Sequence, residues 1–328
     1  MTKLYGFLLF ISVALGSGLA QTAAADGDFR LALPSHPGQL QWHADGFKVI
    51  ESSAKSNGQE IGIRGVDAPG RIHFLGFLFR VQEQAPLTSA KCRDGAIEPE
   101  KKADSSLRIL ANSEMAHADE QQIALVRYTS QGRDGKTSYM TRGFLAVDDI
   151  CGDLEFYSDA PIAAEDAAVK NVFASYRFDP HYLPGFGDSF LYAQILYQHR
   201  MYKAAAPLFE KALTQLADSG RADAKTMRRV VTDQAGMAYG ISGDVTKARA
   251  IFEAAIATDP DYPLYYYNLA CADAEEKKLA DAQAHLHQAF ARKANVIPGE
   301  TMPNPATDDS FLPYRDNKEF WKFIEGLR

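Results

Sequence analysis

Residues 229–260, RVVTDQAGMAYGISGDVTKARAIFEAAIATDP, decide the fold of the second half of this chain. Small and aromatic side chains recur here at helical spacing, with Gly236 three residues before Tyr239 and Ala248 four residues before Phe252. The turn residues ISGD separate the two runs. The pattern predicts two helices joined by a tight turn. Gly236 is expected to let the second helix approach closely, while Tyr239 and Phe252 fill the space between the helices.

The same spacing recurs on both sides of this stretch. A shift of 34 residues places Leu269, Ala270, Ala282, Leu286 and Ala289 on corresponding positions, and Ala193, Ala205, Phe209 and Ala212 occupy them upstream. The upstream offset is longer because of extra residues within 217–228. One such helix pair cannot bury its apolar face alone, so neighbouring copies are expected to stack on it. The sequence therefore predicts three repeats over residues 186–296.

This spacing resembles that of the tetratricopeptide repeat (TPR) family. The resemblance implies an all-α solenoid in which the first helix of each repeat lines a concave groove. Carried onto this sequence, the groove positions are Phe190, Gln194, Tyr197, Gln198, Asp233, Met237, Tyr267, Cys271 and Glu275. Aromatic, methionine and amide side chains suit an extended peptide or a helix as the occupant. The groove lacks the Lys and Arg cluster with which repeat proteins clamp a terminal carboxylate.

Composition and the first residues indicate an exported protein. The chain has 328 residues, 46% hydrophobic and 23% charged, with a net charge of −7 in which acids and bases are interspersed, so nucleic acid is not expected as a partner. Lys3, an apolar run and small residues near position 20 or 25 predict a signal peptide over 1–25. A retained anchor helix is the alternative. We expect a mature chain with no membrane span, in the periplasm or secreted.

Three cysteines fit an oxidising compartment. Cys92 and Cys151 both lie in the first domain, so a bridge between them is expected, with two unpaired thiols as the alternative. Cys271 is expected to be a small apolar packing residue.

Residues 26–180 read as a β-rich domain. Alternating runs predict strands over 47–53, 60–66, 71–82, 107–117, 121–130, 138–147 and 154–157, with a short helix over 85–94, a loop over 95–105 and a helix over 161–177. Strand order, a long central hairpin and the segment CGDLEFYS (151–158) resemble the PsbP-like family of α/β/α sandwiches. That resemblance implies a binding or assembly role. We predict an α+β chain: an antiparallel sheet with packed helices, followed by the all-α TPR-type solenoid.

Residues 297–328 follow the last repeat as an extended segment and a short helix. Pro298, Gly299, Pro303 and Pro305 break regular structure, and Asn317 is placed to cap a helix carrying Phe320, Trp321 and Ile324. This tail is expected to cover the exposed end of the array.

No catalytic motif stands out. His285 and His287 are two apart on a predicted helix, which points their rings to different faces, so solvent-exposed histidines are expected rather than a metal site. Asp153 and Glu155 are two apart on a strand and are expected on a solvated face. We predict neither a cofactor, nor a metal, nor an enzyme.

The sequence favours an exported, non-enzymatic interaction or assembly scaffold that holds a protein or peptide partner in its repeat groove. One alternative is a small-molecule or lipid-binding module in the sheet domain, suggested by Phe74, Phe77 and Phe79, with the repeats as a docking platform. Another is that the repeats only pack on the first domain and bind nothing. The oligomeric state stays open.

Overall fold

The computed structural model describes residues 27–82, 86–117, 120–132, 134–161 and 167–327. The predicted signal peptide lies outside these residues. The described chain divides into two compact units, residues 27–196 and 197–327. The elements of the first unit are β1 (Asp28–Leu31), β2 (Gln39–His43), β3 (Phe47–Ala54), β4 (Glu60–Asp67), β5 (His73–Arg80), α1 (Ser89–Ala103), β6 (Arg108–Ala116), β7 (Gln122–Gln131), β8 (Thr137–Val147), β9 (Ile150–Ser158), α2 (Ala167–Ser175), β10 (Arg177–Asp179) and α3 (Phe186–Gln198), whose last two residues open the second unit.

The first unit contains two antiparallel sheets. The larger has the order β3-β4-β5-β9-β8-β7-β6, and the smaller has the order β1-β2-β10. The strands expected between residues 47 and 157 are confirmed as β3–β9, whereas the short strands of the smaller sheet were not individually predicted. The α+β fold class is confirmed.

The two sheets of this unit enclose an aromatic core. Trp42 of β2 stacks on Phe29 with ring centroids 5.5 Å apart and meets the ring of Phe74 edge-on at 5.8 Å. The indole lies directly over Gly76 of β5, where a Cβ atom would come within 2.6 Å of it. Because the indole needs this space, a side chain at residue 76 would force the two layers apart.

Helix α1 covers the opposite face of the larger sheet. We expected a helix over 85–94 and a loop over 95–105, but the helix runs from Ser89 to Ala103 through both Gly95 and Pro99. Thr88 caps it by accepting a hydrogen bond from the Lys91 amide at 3.2 Å. Burial of Cys92 and Ile97 against the sheet stabilises the helix beyond what local propensity indicates. The expected loop was therefore wrong.

The second unit is helical. Its elements are α4 (Tyr202–Ala217), α5 (Ala224–Ile241), α6 (Val245–Thr258), α7 (Pro263–Glu275), α8 (Leu279–Ala291) and, after a stretch containing three short 3₁₀ turns, α9 (Lys318–Gly326). From α4 to α8 each helix packs on the next, and α5 also contacts α7. The turn expected at ISGD separates α5 from α6. Gly236 has the expected role, since a Cβ there would come within 2.2 Å of the Phe252 ring.

The final helix follows the expectation drawn from its sequence. The Asn317 side chain accepts a hydrogen bond from the Phe320 amide at 3.1 Å, which caps α9. Phe320 and Ile324 are buried in one core cluster with Leu286 and Ala289 of α8. Helix α9 therefore packs against α8, and its role as the cap of a repeat array stays a prediction.

Candidate partner-binding groove

The first helices of the helix pairs carry the predicted groove residues. Phe190 and Gln194 lie on α3 within the first unit, where Phe190 is buried and stacks on Phe186 at 5.5 Å. Tyr197 and Gln198 open the second unit. Gln198 is exposed, while Tyr197 is half-buried against Phe209.

Tyr197, Met237 and Asp233 are neighbours in the second unit. The Tyr197 hydroxyl lies 4.0 Å from the Met237 sulfur. Asp233, one turn before Met237 on α5, is close enough for its charge to help burial raise the pKa of the Tyr197 hydroxyl. Met237 is half-buried, so it offers an apolar surface that a partner can contact.

Asp233 itself is enclosed. It is 5% exposed and accepts a hydrogen bond from the Asn268 amide of α7 at 2.5 Å. Burial raises its pKa to about 8, and the nearby carboxylate of Glu300 adds to that rise. Because the side chain is enclosed and burial disfavours its charged form, Asp233 is not placed to act as an ionic anchor for a basic partner residue.

Two of the three predicted groove residues of the last repeat are covered by the chain's own C-terminal segment. Tyr267 is 1% exposed, and its hydroxyl donates to the carboxylate of Asp308 at 2.8 Å. Cys271 is 8% exposed and hydrogen bonds with Ser310; burial raises the pKa of its thiol well above the usual range. Glu275, at the end of α7, remains exposed. Tyr267 and Cys271 are therefore unavailable to a partner while this segment is in place.

Phe311 is the centre of this covering contact. Its ring is completely buried, meets Tyr267 edge-on at 6.1 Å and lies 6.2 Å from Phe320. Three residues on, the Tyr314 hydroxyl donates to the Ala274 carbonyl on α7. Sequence reasoning placed this segment over the end of the array and missed that it lies on groove positions. The sequence signal for this coverage was the presence of Phe311, Leu312 and Tyr314 in a proline-rich stretch.

A second polar cluster joins α6, α7 and α8. Asp273 is fully buried, and it accepts hydrogen bonds from Arg249 and His285, each at 2.6 Å. Burial opposes ionisation, but these two partners hold the pKa of Asp273 below its usual value. His287 is exposed as expected, whereas His285 is half-buried and paired, so the expectation of an exposed histidine was wrong there.

The first unit holds a buried charge cluster that the sequence reasoning also missed. Asp153 is only 3% exposed and receives two hydrogen bonds from the Arg142 guanidinium, at 2.8 and 2.6 Å. The same guanidinium reaches Glu100 of α1 at 2.8 Å and Glu155 at 3.6 Å. Burial raises the pKa of Glu155 to about 7. The expected solvated strand face was wrong.

Strand alternation carried the signal for this cluster. Asp153 and Glu155 share a face with Cys151, and a disulfide-bonded cysteine belongs on the buried side of a sheet. The cluster stabilises the contact between α1 and the sheet, and α1 closes over it. Because Arg142 pairs with Glu100 on the helix and with Asp153 and Glu155 on the strand, we assign the cluster a structural role.

The disulfide is present. Cys92 of α1 and Cys151 of β9 are bonded with their Cα atoms 6.0 Å apart, while Cys271 is a buried free thiol. A structural disulfide belongs to proteins of oxidising compartments. Among the described residues, no helix is long and apolar enough to cross a bilayer, and no group of three or more His, Cys, Asp or Glu side chains could hold a metal ion.

No family model and no curated protein matches this chain. Three solved structures show a low overall similarity. A Pseudomonas aeruginosa protein of unknown function is 11% identical with a TM-score of 0.27, covering 45% of this chain and 94% of its own. A Bacteroides thetaiotaomicron protein is 10% identical with a TM-score of 0.31, covering 70% and 79%. The immunity protein TplEi of the Pseudomonas aeruginosa T6SS, solved with a peptide, is 12% identical with a TM-score of 0.27, covering 47% and 59%. At such values these similarities assign neither a family nor a function.

Proposed function

We propose that this protein is an exported, non-enzymatic scaffold of the TPR type that holds a protein or peptide partner on the inner face of its helical unit. The observation that carries the proposal is the contact between the Tyr197 hydroxyl and the Met237 sulfur, which brings α5 to the end of α3. An apolar thioether, a phenol and the exposed amide of Gln198 form a surface suited to an extended chain.

The expected compartment and the enclosure of two carboxyl groups support the proposal. The Cys92–Cys151 bond supports an oxidising compartment, and together with the predicted signal peptide it favours the periplasm or secretion. Two carboxyl groups whose pKa values burial raises to about 7 and about 8, those of Glu155 and Asp233, are both enclosed by side chains of this chain. Neither is placed to meet a substrate, which favours a binding role.

The alternative, a small-molecule or lipid site in the sheet domain, receives less support. Phe74 is completely buried and packs edge-on against Phe29 with ring centroids 4.9 Å apart. Phe77 and Phe79 lie on the other face of β5 and are half-buried. A lipid-binding role would therefore rest on these two rings, without Phe74.

Capture of a partner from the native envelope fraction tests the proposal. The mature chain is compared with Met237→Ala and with Met115→Ala, because both methionines are half-buried and Met115 lies on the edge strand β6 of the other unit. We expect Met237→Ala to lower recovery of the partner about tenfold, the effect of removing one central apolar contact. Met115→Ala should recover it normally. Equal recovery by both variants would refute the groove assignment.

A further inference from the structure

The segment 303–314 resembles a bound peptide more than a continuation of the repeat array. It has two short 3₁₀ turns, Pro305–Thr307 and Leu312–Tyr314, yet Asp308, Ser310 and Phe311 are each at most 3% exposed. Its burial comes from side chains that point onto α7.

Backbone hydrogen bonding separates this segment from the helices that it covers. Over the described residues of 303–317, the backbone-to-backbone bonds outside helices run within the segment itself, for example from the Phe311 amide to Asp308 and from the Tyr314 amide to Phe311. Its hydrogen bonds to α7 involve side chains, through Asp308, Ser310 and Tyr314. The segment can therefore leave α7 without breaking a backbone ladder.

The covered surface is selective in its chemistry. The Tyr267 hydroxyl donates to a carboxylate, and the Tyr267 ring forms a T-shaped pair with an aromatic side chain three residues further along the segment. Residues 300–314 carry Glu300, Asp308 and Asp309 and no Lys or Arg. A hydroxyl group can donate a hydrogen bond to a carboxylate, whereas a Lys or Arg partner would bury a second charge.

Both ends of the segment are anchored in a way that permits release. The connector from α8 contains Pro298 and Gly299, both exposed, and Gly299 has a φ of +91°. On the other side, residues 315–319 are exposed before α9 docks through Phe320 and Ile324. Phe320 also contacts Phe311 and Tyr314, so release of 303–314 would leave α9 held by its contacts with α8.

We propose that 303–314 is an intramolecular competitor for the last-repeat part of the groove, displaced by a partner segment with a carboxylate three residues before an aromatic ring. This inference rests on the proposed function and adds the partner's chemistry and its regulation. A segment tethered by a short connector has an effective concentration on the order of millimolar. A free partner binds only if its affinity is high enough to displace the tethered segment at that effective concentration. Weak ligands are therefore excluded from this part of the groove.

A labelled synthetic peptide with the sequence of residues 303–316 tests the inference by fluorescence anisotropy on the mature chain. Phe311→Ala and Asp308→Asn weaken the internal competitor, and the matched control Asp309→Asn removes the same charge from an exposed neighbour. We expect the peptide to bind the first two variants about tenfold or more tightly than it binds wild type. Asp309→Asn should match wild type, and a peptide with alanine in place of the phenylalanine should not bind.

Hydrogen exchange on the wild-type chain covers the case in which those variants unfold. If the segment is released alone, the amides of Phe311 and Tyr314 exchange through an opening that leaves the amides of α7 protected. If the amides of the segment and those of α7 both exchange only by global unfolding, the segment is a permanent part of the folded core. That result would overturn the inference. Folded variants that fail to bind the peptide would overturn it as well. Loss of capture by Met237→Ala would still support the proposed function in either event, so the two failures are distinguishable.

Discussion

Replacement of Gly236 by alanine tests the helix packing on which the groove depends. The new Cβ would lie 2.2 Å from Cζ of Phe252 and 2.7 Å from both Cε atoms. Real Cβ contacts are essentially never below 3.0 Å, so the ring or the helix must move. Overpacking of this kind costs about 1–3 kcal/mol. The higher helix propensity of alanine offsets about 1 kcal/mol of this cost.

Gly240, one turn further along α5, is the matched control. A Cβ there meets only the Ala248 Cβ, at 3.6 Å, which is ordinary contact. Gly240→Ala should therefore gain up to about 1 kcal/mol from propensity alone. The two variants should differ in free energy of unfolding by about 1–3 kcal/mol, with Gly236→Ala the less stable.

Thermal unfolding followed by circular dichroism at the helical band measures the difference. A change of 1 kcal/mol shifts Tm by roughly 2–4 °C for a domain of this size class, so we expect Gly236→Ala to melt roughly 2–12 °C below Gly240→Ala. Phe252→Leu in the Gly236→Ala background should recover part of the loss, because contacting residues couple. Equal Tm values for the two glycine variants would refute the close-packed geometry of α5 and α6.

Two further predictions concern the first unit. Cys92→Ser should lower the free energy of unfolding by about 2–5 kcal/mol and make Tm insensitive to reductant. The control variant Cys271→Ser should keep the wild-type response of Tm to reductant. A wild-type Tm that does not change with reductant would contradict this prediction. Burial raises the pKa of Glu155 from 4.5 to about 7, so the folded state holds a proton that the unfolded chain releases, and stability falls as pH rises through that window. Glu155→Gln should remove this fall, and parallel Tm profiles for variant and wild type between about pH 5 and about pH 8 would count against it.

The consecutive helices of the second unit were predictable because their sequence signal is local. Gly236, Phe252 and their counterparts recur at fixed spacings in the sequence. Residues at these spacings are the ones that pack between neighbouring helices. The strands β3–β9 were recognisable from alternation for the same reason. The PsbP-like and TPR resemblances stay predictions.

What the sequence did not reveal depends on contacts between distant residues. Propensity predicts an end to α1 near Gly95, but burial of Ile97 carries it to Ala103. The pairing of Asp153 with Arg142 needs the register of β8 and β9. Coverage of Tyr267 by Phe311 joins residues more than forty positions apart, and no periodicity encodes that contact.

The strand order of the larger sheet has a consequence for how the chain folds. β3-β4-β5 and β9-β8-β7-β6 are two meanders of sequence neighbours, joined where β5 pairs with β9. Each meander can form early through local hairpins, but the seam between them must wait until residue 158 is available. Cys151 lies at that seam opposite Phe79, and its bond to Cys92 ties the helix that follows one meander to the edge of the other. Oxidation is thus the step that makes closure of the sheet hard to reverse.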